Sequence, residues 1–120
     1  MVAQKFDFII KLARAAGAEL AEELKYDASY ISRIRNGKRT PPDMESILEQ
    51  TAGFLSDRIT TDGQIEIARE VILRNNGEWP KDKDEVKAVI MKWFKNPSEL
   101  RTSDYDLIKK IPRAKRKKSN

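Results

Sequence analysis

Apolar residues recur every three to four positions along nearly the whole chain, and no stretch alternates apolar with polar over the length of a strand. That period lines up one stripe of an α-helix, so the chain is expected to be all-α. Glycines and prolines cut the pattern into short pieces. Phe6, Ile9, Ile10, Ala13 and Ala16 predict a first helix over 3–16, stopped by Gly17. A second follows over 18–24, with Leu20, Ala21 and Leu24 inside. Asp27 stands where an N-cap is wanted for a third helix over 28–36, and Gly37 where a C-terminal glycine is common. Pro41 and Pro42 block continuation and lead into a fourth helix over 43–57, built on Ile47, Leu48, Phe54 and Leu55. After the turn "TTDG", a fifth helix over 64–75 uses Ile65, Ala68, Val71 and Ile72. After the loop "NNGEWPKDKD", a sixth over 84–95 uses Val86, Val89, Ile90, Trp93 and Phe94. A last short helix is expected around Leu107, and disorder beyond Ile111.

At 120 residues this is one domain with at most an appendage. No apolar run reaches the length of a membrane span, and the N-terminus lacks a secretory signal pattern, so no membrane association and a cytoplasmic setting are expected. The chain has neither cysteine nor histidine. Disulfides and thiolate metal sites are thereby excluded, and the commonest general base and metal ligand are missing. No glycine-rich phosphate loop, carboxylate cluster or catalytic constellation appears, so no enzyme, cofactor or metal is expected.

The net charge of +5 is unevenly spread. The stretch from Lys109 to Lys118 holds seven cations and no acid, which leaves the remainder slightly acidic. Within that remainder Arg33, Arg35, Lys38 and Arg39 form an island in "DASYISRIRNGKRTPP". Two basic patches on a near-neutral body suggest an anionic polymer as partner. On a helical wheel Ile31 and Ile34 share one side, whereas Ser29, Ser32, Arg33 and Asn36 share the opposite side, and Tyr30 and Arg35 flank the boundary. A face made only for solubility more often carries Glu and Lys four apart. Short hydroxyls let a backbone approach a surface, and Arg and Asn pair with base edges, a combination that suits a major groove.

Residues 17–36, "GAELAEELKYDASYISRIRN", resemble the helix-turn-helix of the lambda-repressor/Cro-like (Xre-type) family. The family pattern wants apolar residues at Leu20, Leu24, Tyr26, Ile31 and Ile34 and a small one at Ala21, where the helices cross. "ISRIRNGKRTPP" is similar to the family's ending of the recognition helix. The resemblance covers residues 3–60, about half the chain, and implies a helix-turn-helix bundle over 1–60; helical spacing adds an extension over 61–111, of a kind that in this family commonly serves dimerisation or sensing, and the charge pattern a basic tail over 112–120. Lys25 stands where the family usually has a glycine with positive φ, at a cost of about 1 kcal/mol. Gly17 stands where the family often has a phosphate-contacting glutamine.

Carried over position by position, the resemblance implies that Ala28, Ser29, Ser32 and Arg33 face base edges, with Arg33 the main specificity residue. Asn36 would contact a phosphate, and Lys38 and Arg39 would flank the backbone. Ala28 could contribute a methyl contact or nothing. Tyr30 has two readings, DNA contact or packing on the second helix, and Arg35 reads as a phosphate contact or a solvated cation. The function so implied is a sequence-specific transcriptional regulator of bacterial or phage type, a repressor or autoregulator. Its partners would be double-stranded DNA and a second copy of itself, in the cytoplasm at the nucleoid. The alternative is a protein-interaction module, such as an antitoxin or inhibitor, that grips a protein partner through residues 61–111; an apolar patch left exposed on the fifth and sixth helices would favour it. Trp79, Trp93 and Phe94 read first as core, with a ligand pocket or partner interface as the alternative. "KKIPRAKRKKSN" reads first as a phosphate-contacting arm, then as a solubilising end, and last as a nuclear signal. It also resembles an interdomain linker, as if the chain were the front of a longer protein.

Overall fold

The computed structural model describes residues 2–111, which form seven α-helices and, among the described residues, no strand. They are α1 (Val2–Leu12), α2 (Gly17–Leu24), α3 (Ala28–Arg35), α4 (Met44–Leu55), α5 (Asp62–Val71), α6 (Lys83–Lys95) and α7 (Thr102–Ile108). The basic stretch over 112–120 lies outside the described residues.

α1 buries residues on nearly every side: Lys5, Phe6, Phe8, Ile9, Ile10 and Leu12. A helix apolar all round must lie inside, and α1 packs against α3, α4, α5, α6 and α7. Phe8 sits between the Trp93 ring of α6 and the Tyr105 ring of α7, each 6.1 Å away. The most extensive helix pairing is α4 on α6, followed by α2 on α3. Residues from all seven helices share one core, and Trp79, Trp93 and Phe94 are buried in it as expected.

Several helix ends differ from the periodic reading. α1 stops at Leu12, before Gly17, because Arg14 turns left-handed at φ 58. The amides of Ala15 and Arg14 then donate to the carbonyls of Ile10 and Lys11, closing the helix end in a Schellman pattern. Ala16 is consequently exposed rather than core, and Gly17 is the first residue of α2. α5 runs over Asp62–Val71 rather than 64–75; Arg74 and Asn75, both left-handed, end the segment. Its inner face is Gln64, Ile67, Ala68 and Val71, with Ile65 and Ile72 only half-buried. In α4 the buried set includes Thr51 and Ala52, while Phe54 is half-buried. At the start of α3, Asp27 has the extended backbone of an N-cap, but its carboxylate accepts no amide hydrogen bond.

Polar groups carried inward fix how the helices meet. Gln64 is buried, and its side-chain amide donates to the carbonyls of Leu12 (2.8 Å) and Arg58 (3.0 Å). Its Oε1 accepts from the amides of Thr60 and Thr61, while Thr61 Oγ1 accepts from the Gln64 amide. This is a capping box whose glutamine also satisfies the end of α1. Lys5 is 2% exposed, and its ammonium donates to the Trp93 carbonyl (2.8 Å) and the Asn96 carbonyl (2.6 Å), at the C-terminus of α6. Burial, with the Arg74 cation adding, pulls its pKa below the ordinary lysine value. Asp104, also buried, accepts from both terminal nitrogens of Arg74 and from the Arg101 amide, which joins the end of α5 to the start of α7.

Candidate functional site

The exposed polar face of α3 depends on how α2 ends. Lys25 adopts φ 63, ψ 41, the left-handed conformation anticipated for that position. The amides of Lys25 and Tyr26 donate to the carbonyls of Glu22 and Ala21, so α2 closes within one residue. Residues 25–27 are therefore the whole connection, and α3 starts at Ala28. Leu20, Ala21 and Leu24 of α2 and Ile31 and Ile34 of α3 are buried where the two helices meet the core.

With both isoleucines inward, Ala28, Ser29, Ser32, Arg33 and Asn36 lie together on the exposed side of α3. From Ala28 to Pro42 there is no acid in the sequence. Asn36 Nδ2 lies 3.5 Å from Ser32 Oγ, one helical turn back. Arg33 makes no ion pair among the described residues. α3 ends as its glycine suggests: Gly37 has φ 72, its amide donates to Ile34, and the Lys38 amide donates to Arg33 (2.9 Å). The chain reverses there and leaves Lys38 and Arg39 exposed beside the same face.

Two residues of the set sit differently. Tyr30 is half-buried, its ring 4.9 Å from that of Tyr26, and the Arg39 guanidinium lies 5.5 Å above it. Tyr30 thus packs on the connection after α2 and supports Arg39. Arg35 is turned away from the exposed face. Its Nε lies 2.6 Å from Asp7 Oδ1 on α1, and Asp7 also holds Lys11 at 3.0 Å. A Cβ at Gly17 would lie 3.0 Å from Arg35 Nη1, so glycine at the start of α2 leaves that guanidinium its place. Periodicity gave no sign of Asp7, whose partner is 28 positions away. A groove of about 340 Å³ runs beside these groups, with Ala18 of α2 on one wall and Ala28, Ser32 and Asn36 of α3 on the other.

Neither protein-family models, nor curated proteins, nor solved structures include one that matches this chain. Among the described residues no helix is long and apolar enough to cross a membrane.

Proposed function

We propose that the chain is a sequence-specific DNA-binding regulator of the Xre-type helix-turn-helix kind, in which α3 enters the major groove and α2 lies across the backbone. The observation that carries this reading is the acid-free exposed face of α3, on which Arg33, without an ion pair among the described residues, stands among Ser29, Ser32 and Asn36. Two buried isoleucines hold that face outward, and the left-handed Lys25 supports the short connection such a motif requires. At eight residues α3 is about 12 Å long, a length comparable to the width of the major groove.

In this reading Arg33 reads a guanine edge, Ser29 and Ser32 approach bases closely, and Asn36, Lys38 and Arg39 bind phosphates. Arg35 holds α3 to α1 through Asp7 and takes no part in contact. One such face reads few base pairs, so two copies on a palindrome with half-sites about one helical turn apart are expected. Repression by occupancy of promoter DNA follows from the same reading. The alternative, a partner-gripping C-terminal half, called for an exposed apolar patch on α5 and α6. The large apolar side chains there are buried or half-buried, and Val2 is the only exposed one among the described residues, so no observation favours it.

Selection from random duplexes followed by footprinting tests the proposal, with a palindromic consensus as the expected result. Arg33→Ala should then cost roughly 1–3 kcal/mol on the selected site and relax discrimination at one base pair per half-site. An equal loss on a scrambled duplex would make Arg33 a phosphate contact. Failure to select any sequence would reject specific readout altogether.

A further inference from the structure

A cavity lies where the end of α1, the start of α2 and α7 converge, next to the groove beside α3, with which it shares Lys11, Gly17 and Arg35. It has a volume of about 630 Å³, within the range of small-molecule sites. Its charged wall is cationic throughout: Lys11 and Arg14 from α1 and its end, Arg35 from α3 and Lys109 after α7. No acid lines it. Its remaining surface is apolar, with Ile108 and Ile111 on one side and Ala15 on the other.

The charges on that wall are unevenly compensated. Lys11 and Arg35 share the single carboxylate of Asp7, which lies behind them. Lys109 is exposed and only 3.7 Å from Asp106. The half-buried Arg14 has no ion pair among the described residues. Tyr105 contributes a phenol at the rim. Burial, with the carboxylates of Asp7 and Asp104 adding, pushes its pKa up and keeps it a neutral donor.

We propose that this cavity binds a small amphiphilic carboxylate, whose head pairs with Arg14 and whose apolar body lies along Ala15, Ile108 and Ile111. The claim stands independently of DNA binding. Neither half of such a molecule suffices: a bare anion leaves the apolar wall uncovered, and a neutral hydrocarbon leaves Arg14 unpaired.

Octanoate is the probe, with acetate and 1-octanol as its separated halves. Calorimetric titration of the full chain should show saturable octanoate binding, with affinity at least about ten-fold above either half. In ¹H–¹⁵N spectra the shifted amides should be those of Ala15, Gly17, Tyr105 and Ile108. Arg14→Gln should weaken octanoate binding about ten-fold or more while the spectrum stays folded. The proposal is overturned if octanoate does not saturate, if acetate or octanol binds as well, or if the shifts fall away from these residues. Undiminished binding by a folded Arg14→Gln variant would overturn it too. Should that variant unfold, the amide mapping on the unaltered chain decides alone.

Discussion

The α2–α3 pair and the α5–α7 region use polar residues in opposite ways. On α3 the serines, Arg33 and Asn36 point outward from a stripe of two isoleucines and make few contacts with the rest of the molecule. In the C-terminal half the polar groups that matter point inward: Gln64 closes the end of α1, Asp104 holds Arg74, and α6 ends on the Lys5 ammonium. Inward polar groups stabilise because their partners are fixed and would otherwise be left unsatisfied. Outward ones cost the fold nothing and remain available to a ligand. Arg35 shows how a single contact moves a residue from one class to the other, since Asp7 withdraws it from the exposed face of its own helix.

Substitutions can break this contrast or sharpen it. The largest effect is expected from Gln64→Leu, which leaves the buried Leu12 carbonyl and the capping amides of Thr60 and Thr61 without their partner. It should cost roughly 2–3 kcal/mol and lower Tm by roughly 10 °C in a thermal melt. An unchanged Tm would mean that water replaces the glutamine at no cost. Lys5→Met should cost about 2 kcal/mol at neutral pH, because two carbonyls at the end of α6 lose a charged donor. The same variant has a pH signature. In the folded chain the Lys5 pKa lies below 10.5, so between that lowered value and 10.5 the unfolded chain holds more protons. The contribution of Lys5 to stability therefore rises with pH across that window, and the stability difference between Lys5→Met and the parent should change accordingly in denaturant titrations.

Effects at the outward-facing pair should be smaller. Lys25→Gly relieves a left-handed φ but loosens the unfolded chain, so stability should hold or rise by up to about 1 kcal/mol, with no change in preferred DNA sequence. A clear loss would show that the lysine side chain itself contributes. Smallest of all, Arg33→Ala should leave stability within roughly 0.5 kcal/mol of the parent in chemical denaturation. A larger loss would place Arg33 among the structural residues and weaken the contrast on which the proposed function rests.

Legibility in the sequence follows the same division. The faces of α2 and α3 could be read directly, because Leu20, Leu24, Ile31 and Ile34 repeat at helical spacing and Gly37 marks the end of α3. Lys25 could be placed in the left-handed region only through resemblance, since nothing in its own chemistry favours that conformation. The end of α1 is not legible, because Arg14, a poor candidate for positive φ, closes the helix at Leu12, four residues short of the expected Ala16. Gln64, Lys5 and Asp104 were invisible to a periodicity argument, which counts every polar residue as outward.

What the sequence by itself determined was a set of short helices and the apolar stripe on each, since helical spacing and chain-breaking residues act within a few positions. Which polar groups are locked inside and which stay free was decided only in the tertiary structure. Lys5 finds Trp93 across 88 positions, Gln64 finds Leu12 across 52, and Arg35 finds Asp7 across 28. A buried polar group is stable only with its acceptor or donor in reach, and at such separations it is the packing of the helices that brings the two together.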